Sequence, residues 1–211
     1  MRIQCEEKMV QLRQRGSLGP VMRIRENVEI AFACVTFLWT VYFVDLFLPF
    51  DLRSYGIRPR SIEGLFGLIA SPFLHSSLGH LLSNSIPLAA LLSISLTYSR
   101  KLTLQVVFTS ALIGGGFVWL FGSRNTVHIG ASGVIFGLIG YLLAIGLFRR
   151  ELLALVVSLI VSFYYGWTLL SLLMVLPGVS WSGHFFGFLS GVLAAWVTRE
   201  DNVSTSRRRS G

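Results

Sequence analysis

The chain has 211 residues, 53% of them hydrophobic and only 13% charged, with a formal net charge of +8. A soluble domain carries about twice that charged fraction, and the mean hydropathy of +0.67 excludes a chain that folds in water alone. The positive charge does not read as nucleic-acid binding, because the basic residues sit at the ends of apolar segments and in the termini, the pattern of membrane orientation.

Residues 1–27 form a basic tail with Arg2, Lys8, Arg13, Arg15, Arg23 and Arg25, broken by Gly16-Ser17-Leu18-Gly19-Pro20. Its Cys5 and the Cys34 of the first apolar segment are too differently placed to pair, and no CxxC pattern occurs. The first apolar run is long enough to span, which argues against a cleavable leader. It covers about Val28–Leu48, with Glu29 and Asp45 at its two edges. A long connection, residues 49–79, contains SIEGLFGLIA (Ser61–Ala70), which is too short to span and reads as an interfacial or re-entrant helix.

Five more spans are predicted: His80–Tyr98, Leu102–Phe121, Gly130–Phe148, Leu152–Leu176 and Trp181–Val197, followed by a basic tail, 199–211. Each is near the roughly 20 residues that cross a bilayer core. Six spans put both termini on one side. Fourteen of the 18 basic residues lie in the termini and the two loops on that side; only Arg53, Arg58, Arg60 and Arg124 lie opposite. Both termini are therefore predicted cytoplasmic. The expectation is an all-α, six-helix membrane bundle spanning 28–198, without a second domain.

With that topology, spans two, four and six all enter from the outer face. At 1.5 Å rise per residue, Ser132 lies about 24 Å, Asn84 about 21 Å and His184 about 20 Å above the inner ends of their helices. The three groups fall at one depth in a core roughly 30 Å thick. Polar groups inside a membrane are costly and face the bundle interior or a wet cavity, so these three can converge on one pocket.

Each residue also has a plainer reading. A lone serine in a membrane helix usually packs or bonds its own backbone, and a lone histidine bonds a neighbouring helix. The glycines shift that balance for Ser132. Gly130 and Gly133 flank it where a helix start offers free N–H groups and a positive dipole end, able to hold an oxyanion. Gly133 and Gly137, like Gly187 and Gly191, are spaced for close helix packing, which would bring His184 within reach of Ser132 as a general base. His80 and Asn84, four apart, share a helix face and can be a polar seam or supply oxyanion donors. No carboxylate stands ready as a third member, so a dyad is expected. A metal site built from His75, His80, His128 and His184 is disfavoured, because Asn84 is a poor zinc ligand and no cysteine or carboxylate shares their depth.

Together, His75-x4-His80-x3-Asn84, Gly130-Ala131-Ser132-Gly133 and His184-x2-Gly187-x3-Gly191 resemble the rhomboid family of intramembrane serine proteases in motif, order and span. Ser71-Pro72-Phe73-Leu74-His75 is similar to bacterial members. The resemblance, over residues 28–198, implies a Ser–His dyad cutting peptide bonds in or near the transmembrane segments of membrane-protein substrates. It implies Ser132 as nucleophile, His184 as base, and His80, Asn84 and the Ser132 backbone as oxyanion donors. His75, Gly130, Gly133, Gly187 and Gly191 would be supporting residues, and span five the route by which substrate enters. Neither metal nor cofactor is implied. Two departures stand out: the first loop carries Arg58-Pro59-Arg60 and no tryptophan, and Phe136 replaces the tyrosine common four residues after the nucleophile. The expected location is a bacterial plasma membrane, in contact with its lipids. The readings from other classes are a pseudoprotease that binds transmembrane helices without cutting, and a transporter, for which the apolar lower halves of spans two, four and six leave no polar path.

Overall fold

A computed structural model describes residues 19–149, 151–172 and 179–199. The basic tails beyond these, and the end of the fifth predicted span, lie outside the described residues. Among the described residues six long helices follow one another: α1 (Pro20–Phe47), α2 (Leu78–Tyr98), α3 (Arg100–Phe121), α4 (Ser132–Arg149), α5 (Leu152–Leu172) and α6 (Trp181–Val197). The first five are each long and apolar enough to cross a membrane. The 17 residues of α6 reach about 25 Å at 1.5 Å per residue. The described residues form no β-strand, only an isolated bridge between Ile57 and His128.

α4 is the centre. Two thirds of its apolar stretch (67%) is buried, against 11% for α1 and 17% for α5, so those two are outer helices facing lipid. α4 packs most extensively on α6, then on α5. Its glycines explain this. Gly costs about 1 kcal/mol of helix propensity relative to Ala, yet α4 carries Gly133, Gly137, Gly140 and Gly146. A Cβ on Gly187 of α6 would overlap the Gly133 carbonyl, and one on Gly191 the Gly137 carbonyl. A Cβ on Gly140 would overlap the Phe188 carbonyl in return. The two backbones therefore touch, the packing that small residues permit when lipid supplies no hydrophobic drive between helices.

α1 begins well ahead of the apolar run. Pro20, whose missing N–H costs nothing at a first helical position, starts it, and the added turns reach the α2–α3 turn. There Arg100 bonds Asn27 (2.6 Å) and Glu26 (2.8 Å). Arg149 joins the same end of the bundle, donating to Tyr98 (3.2 Å) and the Thr198 carbonyl (2.9 Å). α3 is not continuous α-helix: Ser110–Gly114 forms a π-turn, one extra residue per turn of the kind often found beside functional sites.

The first loop docks on the opposite end. Arg60 donates to the carbonyls of Leu120 (2.7 Å) and Gly122 (2.8 Å), a cation on the free carbonyls of a helix C-terminus. Trp119 Nε1 answers by donating to the Ser61 carbonyl (2.7 Å). The loop needs no tryptophan of its own, because α3 supplies one. The Ser61–Ala70 stretch is a 3-10 turn, Glu63–Leu65, then a one-turn helix, Gly67–Ala70.

Candidate active site

Four pieces of chain meet at the end of the α4–α6 pair where both helices begin. α4 opens at Ser132, two residues after Gly130, whose φ of +109° is a conformation that favours glycine. Gly130 is constrained a second way: a Cβ there would stand 2.6 Å from His80 Nε2. The His80 ring thus lies against the backbone that leads into Ser132. The Gly130 N–H donates to the Ser71 carbonyl (2.8 Å), so the Ser71–Phe73 turn holds this bend in place.

α2 presents the remaining polar groups from its first turns. Ser77 caps the helix, accepting from the His80 N–H (3.1 Å). The His80 ring meets Ser76 at Nδ1 (3.2 Å). Asn84 is 3% exposed and donates from Nδ2 to the His80 carbonyl (2.7 Å). His75, 2% exposed, sits edge-on to the His80 ring at 5.1 Å, with Nδ1 3.3 Å from the Phe73 carbonyl. Burial, and secondarily His80, pushes its pKa down to about 4, which keeps it neutral.

His184 lies in the first turns of α6. Its ring stacks on Phe136, one turn into α4, with centroids 4.1 Å apart and planes 16° off parallel; such a pair adds about 0.5–1.5 kcal/mol beyond burial. Just before it, Gly183 passes close enough that its carbonyl would lie 3.5 Å from a Cβ on Gly133. The ring is thus held against the helix that starts with Ser132. Among the described residues no hydrogen bond joins the Ser132 hydroxyl to His184; catalytic hydrogen bonds often close only around substrate.

Ser132 also lines a small crevice whose walls include Ser110, His128 and Ser180 together with apolar Ile57, Val118 and Val134. Its cavity volume is about 40 Å³, enough for a few water molecules at roughly 10–15 Å³ each.

A family model for the Rhomboid domain matches residues 63–201. The chain belongs to the rhomboid family. Its relatives include the uncharacterized protein Rv1337 of Mycobacterium tuberculosis, 38% identical over 171 residues, covering 77% of this chain and 71% of that one. The putative rhomboid protease YdcA of Bacillus subtilis is 29% identical over 131 residues, covering 62% and 65%. RHOMBOID-like protein 4 of Arabidopsis thaliana is 29% identical over 139 residues, covering 62% of this chain and 33% of its own. This rhomboid is a multi-pass integral membrane protein in contact with lipid, and its mycobacterial relatives support a bacterial plasma membrane.

Two polar residues of the site were not assigned a role from the rhomboid motifs. Ser171, in the last turn of α5, places Oγ 3.4 Å from His184 Nδ1. His128, weighed only as a metal ligand, bonds Ser180 Oγ at 2.6 Å. For Ser171 the sequence held no signal, since it lies in an apolar run where serine is ordinary. For His128 the signal was a histidine four residues before Ser132.

Proposed function

We propose that this rhomboid is an intramembrane serine endopeptidase working through a Ser132–His184 dyad on transmembrane segments of other membrane proteins. The observation that carries the reading is the backbone contact of Gly187 on Gly133, with His184 stacked on Phe136. Together they fix an imidazole against the helix turn that begins with the serine.

The hydrogen bonds around the base give it a direction. Ser171 O–H donates to the Thr168 carbonyl (2.8 Å), so its lone pairs are what face His184 Nδ1. A proton on Nδ1 satisfies them and leaves the Nε2 lone pair free. Nε2 then takes the Ser132 proton as Oγ attacks the scissile carbonyl carbon. The negative charge that develops on the carbonyl oxygen meets the free N–H groups of the α4 start, with His80 and Asn84 at hand on α2. Collapse of the tetrahedral intermediate breaks the C–N bond, and Nε2 returns its proton to the leaving amine. Water from the crevice releases the acyl group in a second cycle of the same kind.

A serine-directed fluorophosphonate probe tests this reading on the full chain in detergent. The expected result is labelling at Ser132, abolished in Ser132→Ala and strongly reduced in His184→Ala. Labelling that persists in Ser132→Ala contradicts the assignment. A folded wild type that resists the probe yet retains a transmembrane helix favours binding without cleavage.

A further inference from the structure

We infer that His128 is a positioning residue that sets the start of α6, and through it the placement of His184. The inference rests on the dyad reading above and extends it to a residue outside the family motifs.

The loop that joins α3 to α4 supplies the first links of a hydrogen-bond chain. Thr126 O–H donates to the Ser123 carbonyl (2.6 Å). Its single proton is spent there, so at 2.9 Å from His128 Nε2 the Thr126 oxygen acts as acceptor. Nε2 therefore carries the ring proton, and in a neutral imidazole Nδ1 is then a bare lone pair. Burial holds the His128 pKa below its ordinary value, which keeps the ring neutral. Ser180 faces that lone pair at 2.6 Å and donates its O–H to it. The lone pairs of Ser180 Oγ remain to accept the Gly183 N–H (3.2 Å), which is the N-cap bond of α6.

The result is one directed chain: Gly183 N–H to Ser180, Ser180 O–H to His128, His128 N–H to Thr126, Thr126 O–H to Ser123. Every donor has an acceptor and no oxygen is asked to donate twice. Gly183 is the residue before His184, and the His184 N–H itself donates to the Ser180 carbonyl (3.1 Å). The far end is equally fixed. The main chain of His128 pairs with Ile57 in both directions (3.0 and 2.9 Å), and Ser132 follows four residues later. His128 thus ties the segment that delivers the nucleophile to the segment that delivers the base, through a contact additional to the glycine seam. A cap alone would need only Ser180; the ring adds a direction to the hydroxyl and a second anchor for the α6 start.

The test uses reporter cleavage in liposomes with His128→Phe, His128→Asn, Ser180→Gly and the pair His128→Phe/Ser180→Gly. Asparagine puts an amide oxygen close to where Nδ1 stands. Glycine is tolerated at a helix N-cap but has no hydroxyl. The expected result is a fall in kcat of roughly 10- to 100-fold for His128→Phe, the scale of a small misplacement of a catalytic group, with KM unchanged. His128→Asn should recover most of that loss, Ser180→Gly should match His128→Phe, and the double variant should be no slower than either. Wild-type kcat in a folded His128→Phe overturns the inference, as do asparagine as slow as phenylalanine and losses that multiply in the double variant. If His128→Phe does not fold, the comparison of His128→Asn with Ser180→Gly carries the same decision. Nitrogen NMR of the His128 ring gives an answer independent of turnover: a bare Nδ1 and protonated Nε2 are expected, and a proton on Nδ1 overturns the inference. The two readings fail differently. An intact dyad indifferent to His128 sinks only this inference, whereas cleavage that survives Ser132→Ala sinks the dyad.

Discussion

α6 and α5 both pack on α4, by different means. Along α6 the contact is backbone on backbone, through Gly187 and Gly191 on the Gly133 and Gly137 carbonyls. Along α5 it is a side chain in a notch: Ser158 O–H donates to the Leu142 carbonyl (2.7 Å), with the Leu143 carbonyl beside it at 3.1 Å, in the space left by Gly146. Beyond Val161 that helix turns large side chains outward, with Phe163, Tyr164 and Trp167 exposed at 83%, 72% and 85%. The first seam has no slack and carries the proposed base; the second is anchored at Ser158, turns Phe163, Tyr164 and Trp167 outward beyond Val161, and returns to the site only at Ser171. The difference separates the part that must hold a geometry from the part a substrate helix could approach.

The largest effect should come from filling the tight seam. Gly187→Leu drives a side chain into the Gly133 backbone, one residue from the nucleophile. It should cost about 3 kcal/mol or more and abolish cleavage, read by thermal unfolding in detergent and by reporter assay. Activity near wild type would show that α6 is not set by this contact.

Within the site, His80→Ala should lower kcat by roughly 10²–10³-fold, the usual cost of one oxyanion donor, while leaving the folded fraction intact. An unchanged kcat would return His80 to a packing role.

Acid should act on the fold through His75. Its pKa is lowered from 6.5 to about 4 by burial. The unfolded chain therefore binds the proton first, and stability present above about pH 6.5 is lost as pH falls toward 4. Unfolding midpoints should drop across that window, and His75→Asn should flatten the slope. An equal slope in both proteins would assign the acid sensitivity elsewhere.

The loose seam should respond least. Ser158→Ala removes one interhelical bond and should cost about 0.6 kcal/mol, the mean for such bonds in membranes. Trp167→Ala, at an exposed position, should change stability by less than about 0.5 kcal/mol. Losses as large as that of Gly187→Leu would erase the contrast between the two seams.

The spans were legible because apolar runs of fixed length are a strong signal. α6 begins at Trp181, where the apolar run begins, because Ser180 caps it. α1 was read short, since its first turns are charged; a helix stabilised by Asn27 and Arg100 need not stop where the hydropathy does. The π-turn at Ser110–Gly114 left no pattern beyond three glycines, because it answers to packing between helices distant in sequence. The shared depth of Ser132, His184 and Asn84 could be read from topology and helix rise alone, and His80 from its four-residue spacing to Asn84. Ser171 and His128 were not, because a hydroxyl or a ring matters there through a partner that only folding supplies. The first loop shows the same limit: Arg60 was visible, but its partner, the end of α3, was not.

The most direct measurement is cleavage of a single-span reporter in liposomes by wild type, Ser132→Ala and His184→Ala, with all three shown to be folded. The account expects the wild type to cut and both variants to be silent. Equal behaviour of the three across several reporters, with the reporter helix still co-purifying, would contradict the protease assignment and leave a protein that binds transmembrane helices.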